Sequence, residues 1–208
     1  MEELQACRLC PRLNDYLKEI KQRHPHYHCR PVSPFGDTGA RLLIVGLAPG
    51  LHGANASGRP FTGDASGDLL FQQLYAHGFA SQPGSRSRND DMKLIDCRIT
   101  NAVKCLPPGN LPVAAEKNAC NRYLAEEVDD LPDGGVLLSL GGVAHAMVLR
   151  ALGLRQSEYR FKHARQYKLL RARHLLASYL PSRYNINTGR LSARRFARVI
   201  ADARELLQ

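Results

Sequence analysis

Short apolar runs alternate with longer amphipathic ones along this chain. Arg41 to Gly46 reads as a buried strand, and Leu47-Ala48-Pro49-Gly50 turns out of it. Ile95 to Val103, Gly135 to Leu140 and Leu175 to Tyr179 read as three more strands. All four are short and largely apolar, the pattern of parallel strands buried on both faces. Helical periodicity runs through Gly67 to His77, Ala114 to Val128, Val143 to Leu152 and Ser192 to Leu207, with Ser192 as an N-cap. Strand and helix in alternation predict an α/β domain with a mostly parallel sheet covered on both faces. Ligands of such sheets sit at the carboxyl ends of the strands. Residues 81–93 form a polar loop rather than a boundary, so residues 1–208 are expected to form one domain.

Composition adds limits. Of 208 residues 44% are apolar, enough for one sizeable core and too many for a disordered chain. The run Leu42 to Val45 is far short of the roughly 20 residues that span a bilayer. The start of the chain, Met1-Glu2-Glu3-Leu4-Gln5, is acidic and lacks an apolar h-region, so the expectation is a cytoplasmic protein without a secretory signal. Lys and Arg number 29 against 19 Asp and Glu, a net charge of +10. That excess favours a polyanionic partner such as DNA, RNA or an acidic membrane face. The densest basic run is Arg160 to Arg173.

The six cysteines are Cys7, Cys10, Cys29, Cys97, Cys105 and Cys120. In a cytoplasmic chain, metal or cluster ligation is the better reading than a disulfide framework. Cys7-Arg8-Leu9-Cys10 is a C-x2-C pair, able to grip one centre from a tight turn. Cys105 follows a predicted strand, and Cys120 falls in a predicted helix beyond the Pro107-Pro108 turn, so the two can fold back towards each other. Spacing alone leaves zinc and a [4Fe–4S] cluster equally open. Cys97, within a strand, reads as a buried small hydrophobe.

The stretch from Gly46 to Gly67, with Phe61-Thr62-Gly63-Asp64 near its end, resembles the first motif of the uracil-DNA glycosylase superfamily, closest to its iron–sulfur branch, family 5. Ile99 to Asn110 and Pro181 to Leu191 match further segments in order, and the tetrad Cys7, Cys10, Cys105 and Cys120 matches too. The resemblance implies a three-layer α/β/α sandwich around a four-stranded parallel sheet, and a [4Fe–4S] cluster rather than zinc. It implies a DNA-repair glycosylase that hydrolyses the N-glycosidic bond of uracil, acting as a monomer with no membrane. Other deaminated bases, such as hypoxanthine, enter the substrate range by resemblance alone.

A glycosylase must extrude its nucleotide and read the base in a pocket. Phe61 is the candidate stacking face. The Asn101 amide carries both donor and acceptor, so it can tell the O4 carbonyl of uracil from the amino group of cytosine. Several branches carry a polar, water-positioning residue where this chain has Ala48, and family 5 shares that absence. By resemblance Asp64 then orients water or stabilises the oxocarbenium-like sugar; a helix N-cap is its competing role.

One position departs from the family. Its third motif opens with a histidine that donates a hydrogen bond to uracil O2, and here that position is Leu180. An introduced substitution, a variant relying on Asp64 and backbone N–H groups, and a chain that binds without turnover all fit; the expectation is genuine but weakened chemistry. The alternative is a non-catalytic iron–sulfur protein that binds uracil-containing DNA. Ser182, Arg183, Tyr184, Asn185 and Arg190 follow in a predicted loop as candidate DNA contacts, with Arg183 and Tyr184 the candidates for filling the gap left by a flipped base. His52 and Asn55 either line the same pocket or stabilise its loop.

Overall fold

The computed structural model describes residues 2–208. The chain runs α1 (Glu2–Gln5), α2 (Pro11–Arg23), β1 (Phe35–Gly36), β2 (Leu42–Gly46), α3 (Ala54–Ser57), α4 (Ala65–Ala76) and β3 (Cys97–Asn101). A 3-10 turn at Pro108–Asn110 follows. The second half comprises α5 (Ala114–Asp129), β4 (Val136–Leu140), α6 (Gly142–Ala151), β5 (Gln166–Lys168), β6 (His174–Ser178), α7 (Arg183–Asn187) and α8 (Ala193–Glu205). One six-stranded sheet has the order β1-β3-β2-β4-β6-β5.

Its centre, β3-β2-β4-β6, is parallel throughout. The four-stranded expectation is therefore right for the core and short by two edges, since β1 and β5 pair antiparallel at either side. Alternation along β2 shows why there are three layers. Leu42 and Ile44 pack with Leu70, Phe71 and Leu74 of α4 and Phe196, Val199 and Ile200 of α8. Leu43 and Val45 face the other way, onto Leu124 and Val128 of α5 and Met147, Val148 and Leu149 of α6. Both faces of every central strand are thus dry, as parallel sheets require.

A third apolar cluster was not foreseen. Leu13, Leu17 and Ile20, spaced for one face of a helix, pack α2 against Val103, Leu106 and Tyr123, with all of Cys7, Cys10, Cys105 and Cys120 at its edge. Residues 81–93 stay irregular, as expected, and are tied down by Arg59. Its guanidinium bonds Ser85 Oγ at 3.0 Å, pairs with Asp90 and lies 4.4 Å over the Phe35 ring.

Part of the basic run is structural, while Arg160, Lys162, Arg165 and Lys168 stay exposed. Arg173 is buried and donates to the carbonyls of Val128 and Asp129 at the end of α5, while Arg171 pairs with Asp133. In α8, Arg198 pairs with Asp202, and Arg204 donates to His77 O and stacks on Phe79. Much of the positive charge therefore holds the fold. Among the described residues, no helix is long and apolar enough to cross a membrane.

Candidate active site

The carboxyl ends of β2, β3 and β6 surround a cavity of about 590 Å³. Ala48, Phe61, Asp64, Asn101, Leu180, Ser182, Arg183, Tyr184 and His52 all line it. Gly46 brings two of them together. It ends β2 in register with Asn101 of β3, and backbone bonds continue the pairing beyond the strands, from Ala102 N to Gly46 O and Val103 N to Leu47 O, both at 2.9 Å. A Cβ at position 46 would lie 2.6 Å from Asn101 Oδ1 and 2.7 Å from the Phe61 ring. Only a residue without a side chain leaves room for the ring and the amide to share one wall.

Phe61 holds its ring there from a left-handed backbone, φ 55°, a conformation that costs a non-glycine residue of order 1–3 kcal/mol and clusters at functional sites. Gly67 of α4 lets the helix press onto that turn, since a Cβ would sit 1.7 Å from Phe61 O. Asp64 is the N-cap of α4: its Oδ1 accepts from Ser66 N and Gly67 N, each at 3.0 Å. The other oxygen, Oδ2, points at the Gly50–Gly53 turn, where a Cβ on Gly53 would stand 2.2 Å from it. The cap and the pocket carboxylate are the same side chain, each role using a different oxygen.

The third motif is not a loop throughout. Ser182 caps α7, accepting from Asn185 N at 3.3 Å, and the short helix carries Arg183 and Tyr184 to the rim with both side chains exposed. Asn185 does not line the cavity; its amide donates to Leu180 O at 2.9 Å and so fixes the backbone of the motif. Arg190 also stands outside the cavity, 5.5 Å over the Tyr179 ring. Asn55, fully buried, is likewise no pocket residue: it donates to Cys29 Sγ at 3.5 Å. His52 does reach the cavity, and its Nδ1 shares a 2.9 Å hydrogen bond with the Tyr27 hydroxyl.

Behind Ala48 the four thiols of Cys7, Cys10, Cys105 and Cys120 border one small pocket. Burial raises the Cys10 thiol to about 11, with Cys120, Glu116 and Cys7 adding repulsion. Burial also pushes Cys105 and Cys120 upward. Four cysteine side chains gathered in one apolar recess fit a bound cation, whose charge would favour their thiolate forms. Among the described residues no three His, Cys, Asp or Glu are arranged to hold a single metal ion. Cys97 stands apart, fully buried in β3, as a small hydrophobe should.

Lys104 was missed by sequence reasoning. Fully buried between Val103 and Cys105, it donates to both Glu127 oxygens at 2.7 and 2.8 Å and to Thr100 Oγ1 at 2.6 Å. Its backbone N–H donates to Cys120 Sγ at 3.2 Å. The same five residues, Thr100 to Lys104, thus join the base-reading wall to the thiol recess. A lysine inside an apolar run was the available signal, unreadable without its partner on α5.

A family model described as the uracil DNA glycosylase superfamily matches residues 33–204. A type-5 uracil-DNA glycosylase of Thermus thermophilus is 44% identical, covering 99% of this chain and 96% of that protein. The type-5 enzyme of Pyrobaculum aerophilum is 41% identical, covering 98% and 90%. A type-4 uracil-DNA glycosylase of Pyrobaculum aerophilum is 32% identical, covering 69% and 66%.

Proposed function

The chain belongs to the uracil DNA glycosylase superfamily, and on that footing we propose a DNA-repair enzyme that hydrolyses the N-glycosidic bond of uracil in DNA. The observation that carries the proposal is the convergence of Phe61, Asn101 and Asp64 on one cavity at the strand ends. An extruded uracil stacks on Phe61, while the Asn101 amide donates to O4 and accepts from N3–H; cytosine, with an amino group and a bare N3, reverses both bonds. As the C1′–N1 bond breaks, positive charge grows on the sugar, and the Oδ2 side of Asp64 stabilises it and orients the incoming water. Water oxygen bonds to C1′, the departing base takes up a proton, and an abasic site remains. Among the described residues no lysine lines the cavity, and Lys104 is committed to Glu127, which supports simple hydrolysis over a Schiff-base route.

A uracil-containing oligonucleotide incubated with the full chain should break only after alkali. Tight binding with no alkali-labile site would instead favour the reading of a non-catalytic uracil-DNA binder, for which Leu180 is the specific observation.

Cys7, Cys10, Cys105 and Cys120 are the residues that would hold a [4Fe–4S] cluster. Four cysteines lining one small recess supply the thiolate set that such a cluster takes, and the preference for a cluster over zinc rests on the likeness to the iron–sulfur branch. The cluster's contribution would be a cross-link between the N-terminal segment and the β3–α5 region. The purified chain should be brown and contain iron and sulfide in equal amounts, with Cys120→Ser losing both; colourless protein with stoichiometric zinc would overturn this assignment. Arg183 and Tyr184 at the rim, with Ser182, Asn185 and Arg190 around them, are the proposed contacts to the DNA backbone and base stack.

A further inference from the structure

A second cavity, of about 850 Å³, opens beside the one that holds Phe61, Asp64 and Asn101. Ala65 and Arg183 line both. One wall is a single stripe of α4, since Ala65, Asp68, Leu69 and Gln72 recur at the spacing of one helical face. A second wall is α7, with Ile186 and Asn187 one turn beyond Arg183. The 81–93 loop supplies the third, through Gln82, Pro83 and Arg86. That loop is firmly held. Buried Ser85 meets Thr62 Oγ1 at 2.8 Å, and its carbonyl accepts from Gly63 N at 3.3 Å, which ties the loop to the turn carrying Phe61 and Asp64. Asp90 is spent on Arg59 and on the backbone N–H groups of Arg86 and Ser87, at 2.7 and 3.2 Å. Among the described residues, this leaves exposed Asp68 as the uncommitted acid of the cavity.

Leu69, Ile186 and Pro83 offer apolar surface to the faces of a nucleobase, while Asp68 and Gln72, one turn apart, offer an acceptor and a donor to its edge. A carboxylate repels phosphate, so a strand enters with its base inward and its backbone out against arginine. Guanine suits this wall: its N1–H and N2 amino group donate side by side to a carboxylate, and its O6 accepts from an amide N–H. Thymine presents one N–H between two carbonyl oxygens, which a carboxylate repels. We propose that this cavity takes the base adjoining the extruded uracil on the same strand, through Asp68 and Gln72, and favours guanine when that base is unpaired. Arg183, shared by both cavities, then meets the phosphate linking the two nucleotides. This rests on the reading of the smaller cavity as a uracil pocket. In a duplex the same edge is taken by cytosine, so the preference belongs to single strands.

The test uses single-stranded oligonucleotides with one uracil, varied through all four bases at the 5′ and then the 3′ neighbour. Wild-type, Asp68→Asn and Gln72→Ala are compared by kcat/KM for uracil release and by binding, read as fluorescence anisotropy. Wild-type should prefer guanine to thymine about tenfold at one neighbour and show less than about twofold preference at the other. Asp68→Asn should cut the larger ratio to within about twofold, with the rate on the thymine substrate near wild-type, and Gln72→Ala should cut it to about threefold. Adding the complementary strand should abolish it. No guanine preference at either neighbour, or one that survives Asp68→Asn or duplex formation, would overturn the assignment. A lower melting temperature in Asp68→Asn with an unchanged ratio would do the same, leaving Asp68 as a partner of the helix dipole. If wild-type released uracil from no substrate, the catalytic reading would fail, while the same comparison read by binding would still decide the role of this cavity.

Discussion

Leu180→His is expected to raise the rate of uracil release by about 10²–10³, the usual worth of one donor aimed at a developing oxyanion. As the glycosidic bond breaks, negative charge moves onto the base carbonyls, and a leucine at the cavity wall offers that charge no N–H. The backbone is already placed to accept the change. Leu180 O receives bonds from Ser182 N at 2.8 Å and from Asn185 Nδ2 at 2.9 Å, neither of which involves the side chain. Leu180 is only half-buried against the core beside α8, so losing its apolar contacts costs little stability. Single-turnover assays at saturating enzyme isolate the chemical step. A gain confined to this step, with unchanged DNA affinity, means that the pocket is otherwise competent and lacks one donor. No gain means that the site does not depend on a donor at position 180, and that Asp64 with backbone groups carries the reaction.

The parts of this molecule readable in advance are those whose physics is local. Buried parallel strands demand apolar residues on both faces, so β2, β3, β4 and β6 announce themselves, as do the helices that cover them. The edge strands β1 and β5 carry no apolar run and owe their conformation to the strand beside them. The helix Pro11–Arg23 carries a signal of its own, with proline at the first turn and Leu13, Leu17 and Ile20 on one face, directly after the cysteine pair. In the site, Phe61, Asp64 and Asn101 stand out because their motifs are contiguous. Lys104 with Glu127 and Gly46 with Phe61 do not, because the reason for each lies on another element and becomes visible only when the chain is folded. The net charge of +10 pointed towards a polyanion without saying where it binds; buried Arg173 and paired Arg198 show that a count of basic residues is a poor map of a binding face.

Asp64→Asn separates the two duties of one carboxylate. Asparagine caps helices about as well as aspartate, and its Oδ1 can still accept from Ser66 N and Gly67 N, so α4 and the Phe61 turn packed beneath it should keep their geometry. What disappears is the negative charge at the second atom, facing Gly50 and Gly53 in the cavity. Uracil release should then fall by roughly 10²–10⁴, the range for a group that handles the proton of an attacking water. Melting temperature and affinity for uracil-containing DNA should barely move, because neither the cap nor the base-reading wall has changed. Asp64→Ala should be as slow and, in addition, less stable by about 1 kcal/mol through loss of the cap. A Asp64→Asn protein that releases uracil at the wild-type rate would leave Asp64 as a helix cap alone. In that case the attacking water would be held by His52, which also lines the cavity, or by the backbone of the Gly46–Gly53 turn, since the side chain of Ala48 can accept no proton.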